Sequence, residues 1–395
     1  MTIYLDYNAT TPVRPEVVDA MTPYFGVCFG NASSGHGLGR EAKGALEEAR
    51  EAVASALGAR ERESVVFTSG GTEANNLAIK GTAWAAWGRG RHIITSAVEH
   101  RAVLGACHAL EAQGFEIVCL PVDADGLIDP ERVKQSLRTD TALISFMHAN
   151  NETGVVFPIA EIGRLARERE IIFHVDAVQT FGRLPVNVDA LGVDLLTISG
   201  HKIYGPKGIG ALYIRPGTKI APQMHGGEQE FGVRAGTENV AAVVGLARAA
   251  LLARESMPTE NERLRTLRDR LEEGILCRIP GVRRNGDRDQ RLPNTSNISF
   301  QGIRADSLMV ALDLEGIAVS AGAACASGSP ESSHVLRAMG RRPEIDGGGV
   351  RFSLGAGTTE VEIEHILELL PPLVERVRAA TGQGGGQEYN AEHNP

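Results

Sequence analysis

LLTISGHKIYGPKGIGALYI, residues 195–214, begins as an apolar run suited to a buried strand and breaks at Ser199 into a polar turn. Ser199, Gly200, His201 and Lys202 then offer a hydroxyl, an imidazole and an amine at the mouth of the strand. A lysine so placed can form a Schiff base with an aldehyde cofactor, while Ser199 and His201 hold its phosphate. The plainer reading is a surface lysine in a turn. Lys207, between Pro206 and Gly208, fits that reading better than Lys202 does.

Outward from this stretch the chain alternates from about residue 14 to 255. Helical periodicity covers 37–58, 72–87, 101–113, 130–138 and 158–169. Between these lie the short apolar runs SVVFTS, HIITS, FEIVCLPV, ALISFMHA and IIFHVDA. Such alternation predicts an α/β fold around a mostly parallel sheet. Ligands of such sheets bind beyond the carboxyl ends of the strands. A long helical stretch over about 236–278 then leads into a smaller α+β region. That region holds NISF, RADSLMVALDLEG, IAVS, VRFSLG and a helix from Thr358 to about Ala379. The expected division is 15–255 for the large domain, and 1–14 with 256–380 for the small one. Residues 381–395, Gly-rich and polar, read as a disordered tail.

Other strand ends carry compatible groups. IIFHVDAVQ places Asp176 after an apolar run, 26 residues before Lys202, with Gln179 following. A carboxylate there is costly to bury without a cation, and a pyridinium nitrogen would supply one; a structural salt bridge is the alternative. FTSGGTEANN ends a strand at Gly70, Gly71 and Thr72 and starts a helix, whose N–H groups and dipole favour an anion. No Lys-Ser/Thr follows those glycines, so this is not a P-loop. GLGREA (37–42) formally fits a dinucleotide motif but follows loop-like GNASSGH, and is rejected. His100 lies between a strand and a helix, where an imidazole could stack on a flat ring or shuttle a proton; a packed or capping histidine is the alternative. Asn150 and Asn151 stand at a further strand end.

The five cysteines are far apart, odd in number and form no metal spacing, so free thiols are expected. Cys325 lies in SAGAACASGSPESS, a window of small and polar residues suited to an exposed nucleophile. Cys107, Cys119 and Cys277 read as buried fillers, and Cys28 as a loop residue. With 395 residues, 43% hydrophobic and 23% charged, the chain has the make-up of a soluble protein of two domains. Its net charge of −9 is well mixed, so no nucleic-acid partner is expected. No apolar run approaches the ~20 residues of a membrane span, and MTIYLDYNATTP has no signal-peptide character. The expected location is the cytoplasm.

YLDYNATTPV, FTSGGTEANNLAI, VEHRAVL, HANNETGVV, HVDAVQ, SGHKIYGPKGIGALY, GTEN, the segment around Cys325 and VRFSLG follow one another in this order. In this the chain resembles the cysteine desulfurases of the class V aminotransferase family, in their NifS/IscS-like branch. The resemblance covers nearly the whole chain up to the tail. It implies a pyridoxal-phosphate-dependent transferase of fold type I, with a mixed rather than wholly parallel sheet.

By the same resemblance, Lys202 would bind the cofactor covalently, Asp176 would pair with its ring nitrogen and His100 would stack on the ring. Gln179 and Asn151 would serve its phenolic oxygen and the substrate side. Gly71, Thr72, Ser199 and His201 would bind the phosphate, with Thr237 reaching in from the other subunit of a homodimer. Arg351 would grip the carboxylate of L-cysteine, and Cys325 would take the sulfur as a persulfide. The sulfur would pass to an acceptor such as an iron–sulfur scaffold protein, with which Cys325 could share a cluster; no metal is bound by the protein alone. An aminotransferase or a selenocysteine lyase is the nearest rival, but a transaminase has no use for Cys325. Ala32 stands where the family usually has proline, and AGAACASGSPESS is poorer in serine than its counterparts. The tail does not match the housekeeping enzymes.

Overall fold

The computed structural model of this chain describes residues 2–321, 333–342 and 346–383. Cys325 and residues 384–395 lie outside the described residues. The last helix, Glu360–Gln383, continues three residues into the stretch expected to be a tail.

The central sheet has seven strands: β2 (Val65–Thr68), β3 (His92–Ser96), β4 (Glu116–Leu120), β5 (Thr141–Met147), β6 (Ile172–Asp176), β7 (Leu195–Ser199) and β8 (Gly210–Ile214). Their order is β2-β8-β7-β6-β5-β3-β4. β7, β6, β5, β3 and β4 run parallel, while β8 is antiparallel to both β7 and β2. The sheet is therefore mixed, as the family resemblance implied and alternation alone did not. Because β8 reverses between them, β2 and β7 point the same way. The carboxyl ends of β2, β3, β5, β6 and β7 thus share one edge, and all the strand-end residues singled out above gather there.

Helices cover the sheet where the periodicity placed them: Gly37–Leu57, Gly71–Ala85, Arg101–Glu111, Pro130–Ser136 and Ile159–Glu168. β2, β3 and β7 are buried along their whole length, the pattern of strands covered on both faces. GLGREA opens the first of these helices, capped by His36, with no strand before it. Two cysteine expectations are corrected. Cys107 is buried, but Cys119 is exposed because β4 is an edge strand, and Cys277 is exposed on the helix Val240–Arg278.

That 39-residue helix links two cores. Val240 to Ala253 pack with the large sheet, and Leu264 to Ile275 pack with a second apolar cluster. Pro258, which cannot donate a helical hydrogen bond, stands between the two sets. The second cluster surrounds an antiparallel sheet of β9 (Val282–Arg284), β10 (Thr295–Phe300) and β12 (Gly348–Ser353), in the order β12-β10-β9. β1 (Ile3–Tyr4) pairs in parallel with β11 (Ile317–Ala318), which brings the first residues of the chain onto this half.

Candidate active site

Lys202 closes a single 3-10 turn, Gly200–Lys202, that begins where buried β7 ends. Its Nζ donates to the carbonyls of Asn8 at 2.5 Å and Ala9 at 2.8 Å. Lys207 is exposed. Next to Lys202, His201 meets Thr10 Oγ1 through Nδ1 at 3.1 Å. Burial, reinforced by Lys202 and Lys207, lowers its pKa to about 4, so the ring is neutral at physiological pH.

Asp176 ends β6 in the neighbouring position and is buried. Asn75 Nδ2 donates to its Oδ2 at 2.6 Å and the Val178 N–H to its Oδ1 at 3.0 Å. Among the described residues it makes no ion pair, so the structural salt bridge considered above is absent from them. Gly71 begins its helix close to the end of β7. A Cβ there would lie 2.9 Å from Val178 Cγ2 and 3.6 Å from Ser199 Cβ. The first-turn N–H groups of Gly71 and Thr72 have no intrahelical acceptor. Gly71, Thr72 and Ser199 thus form one cradle.

His100 caps the helix Arg101–Glu111, its Nδ1 accepting from the Ala102 N–H at 3.1 Å. The residue as a whole is exposed. Desolvation of its edges lowers its pKa; Asp176 opposes this shift, while Lys202 and His334 add to it.

Arg351 comes from β12 and is buried against the same edge. Its Nη1 donates to the Asn151 carbonyl at 2.8 Å and its Nη2 pairs with Asp6 Oδ1 at 2.6 Å. Among the described residues its Nε is buried without a partner. Gln179 is held by Asn8 and Arg183: Nε2 donates to the Asn8 carbonyl at 3.0 Å, and Oε1 accepts from Arg183 Nη1 at 2.7 Å. Lys202, His201, Asp176, Gly71, Thr72, Ser199, His100, Gln179, Asn151 and Arg351 all converge on this edge. Thr237 does not join them: it is exposed, and among the described residues no side-chain hydrogen bond ties it to the other site residues.

The Aminotransferase class-V family pattern matches residues 3–366. This chain belongs to the class-V aminotransferase family. A cysteine desulfurase IscS of Dictyoglomus turgidum is 54% identical over 95% of each chain. A solved NifS-like protein is 38% identical with a TM-score of 0.89, covering 95% of this chain and all of its own. A solved structure of SspA in complex with cysteine is 39% identical with a TM-score of 0.80, over 89% of this chain and 99% of that one.

Class-V aminotransferases of this kind depend on pyridoxal 5'-phosphate, and the residues present fit it. The buried Asp176 carboxylate has no counter-cation among the described residues, and a pyridinium would be one. The Gly71 cradle has the donors a phosphate needs and no space for a Cβ.

Several residues of this class-V site went unread in the sequence. Asn8 is the largest omission. Its carbonyl takes Lys202 and Gln179, its Nδ2 donates to Thr295 Oγ1 at 2.9 Å and the Asn151 carbonyl at 3.3 Å, and its Oδ1 accepts from Asn294. Its only sequence signal was the polar run NATTP. Asn75 and Asp6 hold Asp176 and Arg351. Glu99 is fully buried beside His100, with Oε1 accepting from Ser96 Oγ at 2.6 Å and Oε2 unpartnered among the described residues. Burial raises its pKa to about 8, and nearby Asp176 adds to that shift.

Proposed function

We infer that this class-V aminotransferase is a cysteine desulfurase, which converts L-cysteine to L-alanine and loads the sulfur on Cys325. The observation that carries the reading is the convergence on one sheet edge of Lys202, Asp176 and Arg351, with no counter-ion for Asp176 and no partner for Arg351 Nε among the described residues. Relatives named for this activity, spanning nearly the whole chain, support it.

Lys202 holds the aldehyde of the cofactor, Asp176 keeps the ring nitrogen protonated, and Gly71, Thr72, Ser199 and His201 bind the phosphate. When bound, the cofactor supplies an electron sink that weakens bonds around the substrate Cα and Cβ. Arg351 orients the substrate carboxylate through Nε; a bidentate grip requires Asp6 to share Nη2. The Lys202 amine moves the Cα proton. The Cys325 thiolate attacks the substrate sulfur, so an S–S bond forms as the Cβ–S bond breaks. The electron pair left on carbon takes a proton and alanine departs. With Nδ1 engaged as a cap, His100 presents Nε2–H as a donor to the site.

The remaining assignments rest on the same reading. The enzyme acts as a homodimer in which Thr237 serves the partner's phosphate site, consistent with its exposure away from its own. Phe25, Val27 and Phe29, each more than two-thirds exposed, offer apolar surface for that contact. Residues 15–255 form the large domain, and 1–14 with 256–380 the small one. No helix of the described residues is long and apolar enough to cross a membrane, and the enzyme works in the cytoplasm. An iron–sulfur scaffold protein, or another acceptor, takes the persulfide sulfur.

The test is stoichiometry and site together. Cysteine with a reductant should yield alanine and sulfide in equal amounts, and mass spectrometry after one turnover should find the added sulfur on the Cys325 peptide. A Cys325→Ala enzyme that releases sulfide at the wild-type rate would sink the mechanism.

A further inference from the structure

Asn75 is 1% exposed on the helix Gly71–Ala85, where its neighbours Ala74, Leu77, Ala78 and Ile79 are buried and apolar. An apolar side chain is the ordinary occupant of such a position, and a buried amide costs free energy unless its polar atoms are bonded. Here Nδ2 donates to Asp176 Oδ2 at 2.6 Å, while Oδ1 has no partner among the described residues. An ionised carboxylate only accepts, so the amide atom that faces it is the nitrogen. Among the described residues, the bond to Asp176 is therefore the one side-chain hydrogen bond that offsets the burial of this amide.

Asp176 is held from two sides. Asn75 takes Oδ2, and the Val178 N–H takes Oδ1 at 3.0 Å. Val178 also lines the cradle, since its Cγ2 would stand 2.9 Å from a Cβ on Gly71. One hydrogen bond to each oxygen stops the carboxylate from turning about its Cβ–Cγ bond. Lone pairs remain on both oxygens, because a carboxylate accepts at about four sites. Asn75 stands four residues beyond Gly71, about one turn along the helix. The first turn of this helix thus offers N–H groups to an anion, and the next turn holds the carboxylate that has no counter-cation among the described residues.

We propose that Asn75 is a positioning residue for the cofactor ring, fixing the Asp176 carboxylate to meet the ring nitrogen while the phosphate sits on the first turn of the same helix. The proposal rests on Asp176 being the partner of that nitrogen. Because both anchors are tied to one rigid element, the charged ends of the cofactor are registered to each other before it arrives. A carboxylate already ordered in this way loses none of its ion-pair energy to being immobilised on binding. Packing alone gives no reason for an amide here: leucine has a similar volume and would leave no oxygen without a partner.

The experiment measures how tightly the full-length enzyme, stripped of cofactor, binds pyridoxal 5'-phosphate and its 1-deaza analogue, which has carbon in place of the ring nitrogen. Wild type is compared with Asn75→Leu and with Asn75→Ala, a smaller helix-forming replacement that keeps the test open where leucine does not fold. Wild type should prefer the natural cofactor. In the variants that preference should fall roughly tenfold, as expected for loss of a hydrogen bond to a charged group, with most of the loss on the natural cofactor. An unchanged preference overturns the proposal, whether both affinities are kept or both fall together as a packing defect would make them. A wild type that binds the two ligands equally would instead remove the pairing of Asp176 with the ring nitrogen, on which the proposal rests.

Discussion

Asn8 and Lys202 are joined by a 2.5 Å hydrogen bond from the lysine ammonium to the asparagine carbonyl, across 194 positions of sequence. The same carbonyl takes Gln179, and the Asn8 side chain is fixed by Thr295 and Asn294. Lys202, proposed to bind the cofactor, is thus oriented by a residue that belongs to neither its strand nor its motif. Lys202→Ala should lose the visible cofactor band and turnover, while Lys207→Ala should retain both. Absorbance and a cysteine assay on the two variants decide between the lysines.

Asn8→Ala should fold but lose stability. It removes the hydrogen bonds to Thr295, Asn294 and Asn151, each of which keeps one other partner, and a lost hydrogen bond costs about 0.5–1.5 kcal/mol. Chemical denaturation should give a lower midpoint, and cofactor affinity should weaken with it. Unchanged affinity would show that the carbonyl keeps its place without the Asn8 side chain.

Arg351→Lys should chiefly weaken substrate binding. A lysine keeps the charge but loses the Nε donor and the planar fork. The KM for cysteine should rise roughly tenfold or more, since a hydrogen bond to a charged group contributes about 1.5–3 kcal/mol. The spectrum of the bound cofactor should not change. Equal loss of cofactor binding would contradict a role confined to the substrate carboxylate.

Stability should change with pH in two opposite senses. His148 and His174 are buried, and desolvation alone lowers their pKa values to about 4 and about 3. The unfolded chain takes up these protons near pH 6.5 and the folded chain does not. Stability therefore falls as pH drops from about 6.5 towards 4, by up to about 1.4 kcal/mol per unit for each histidine. Glu99 has the reverse sign. Its folded pKa of about 8 lies above its unfolded value, so its contribution is complete in acid and is lost as pH rises through 8. Glu99→Gln removes that titration while keeping a neutral side chain of similar shape. Thermal melts between pH 6 and 9 should show the variant losing less stability than wild type.

The sheet was legible because its strands are apolar runs that stop at polar residues, as at Ser69, Asp176 and Ser199. A period-two or unbroken apolar signal survives in a single sequence, and so did the helices between. What escaped is what no local window contains. Asn8 acts through contacts 143 to 345 positions away, and β9 is three residues long, two of them arginine. Glu99, between Val98 and His100, went unread, although its strand end is closed by Asn150 and His334. Cys119 misled because an apolar context does not tell an edge strand from a central one. Asp176 and Gly71 were found for the opposite reason: each breaks a local rule at the end of a strand.

The pairing of β1 with β11 also sets an order of events during synthesis. Residues 3–5 bond to 316–318, Asp6 bridges Ser353, and Asn8 relies on Asn294, Thr295 and Ser353. The seven strands of the large sheet leave the ribosome well before any of these partners do, and folding by units starts from the part already made. A nascent chain can thus assemble β2 to β8 and seat Thr10 and Thr11 against His201 and Tyr204 before Asn8 has any of its later partners. The Asn8 carbonyl that meets Lys202 gains its full set of restraints only once translation has passed β12.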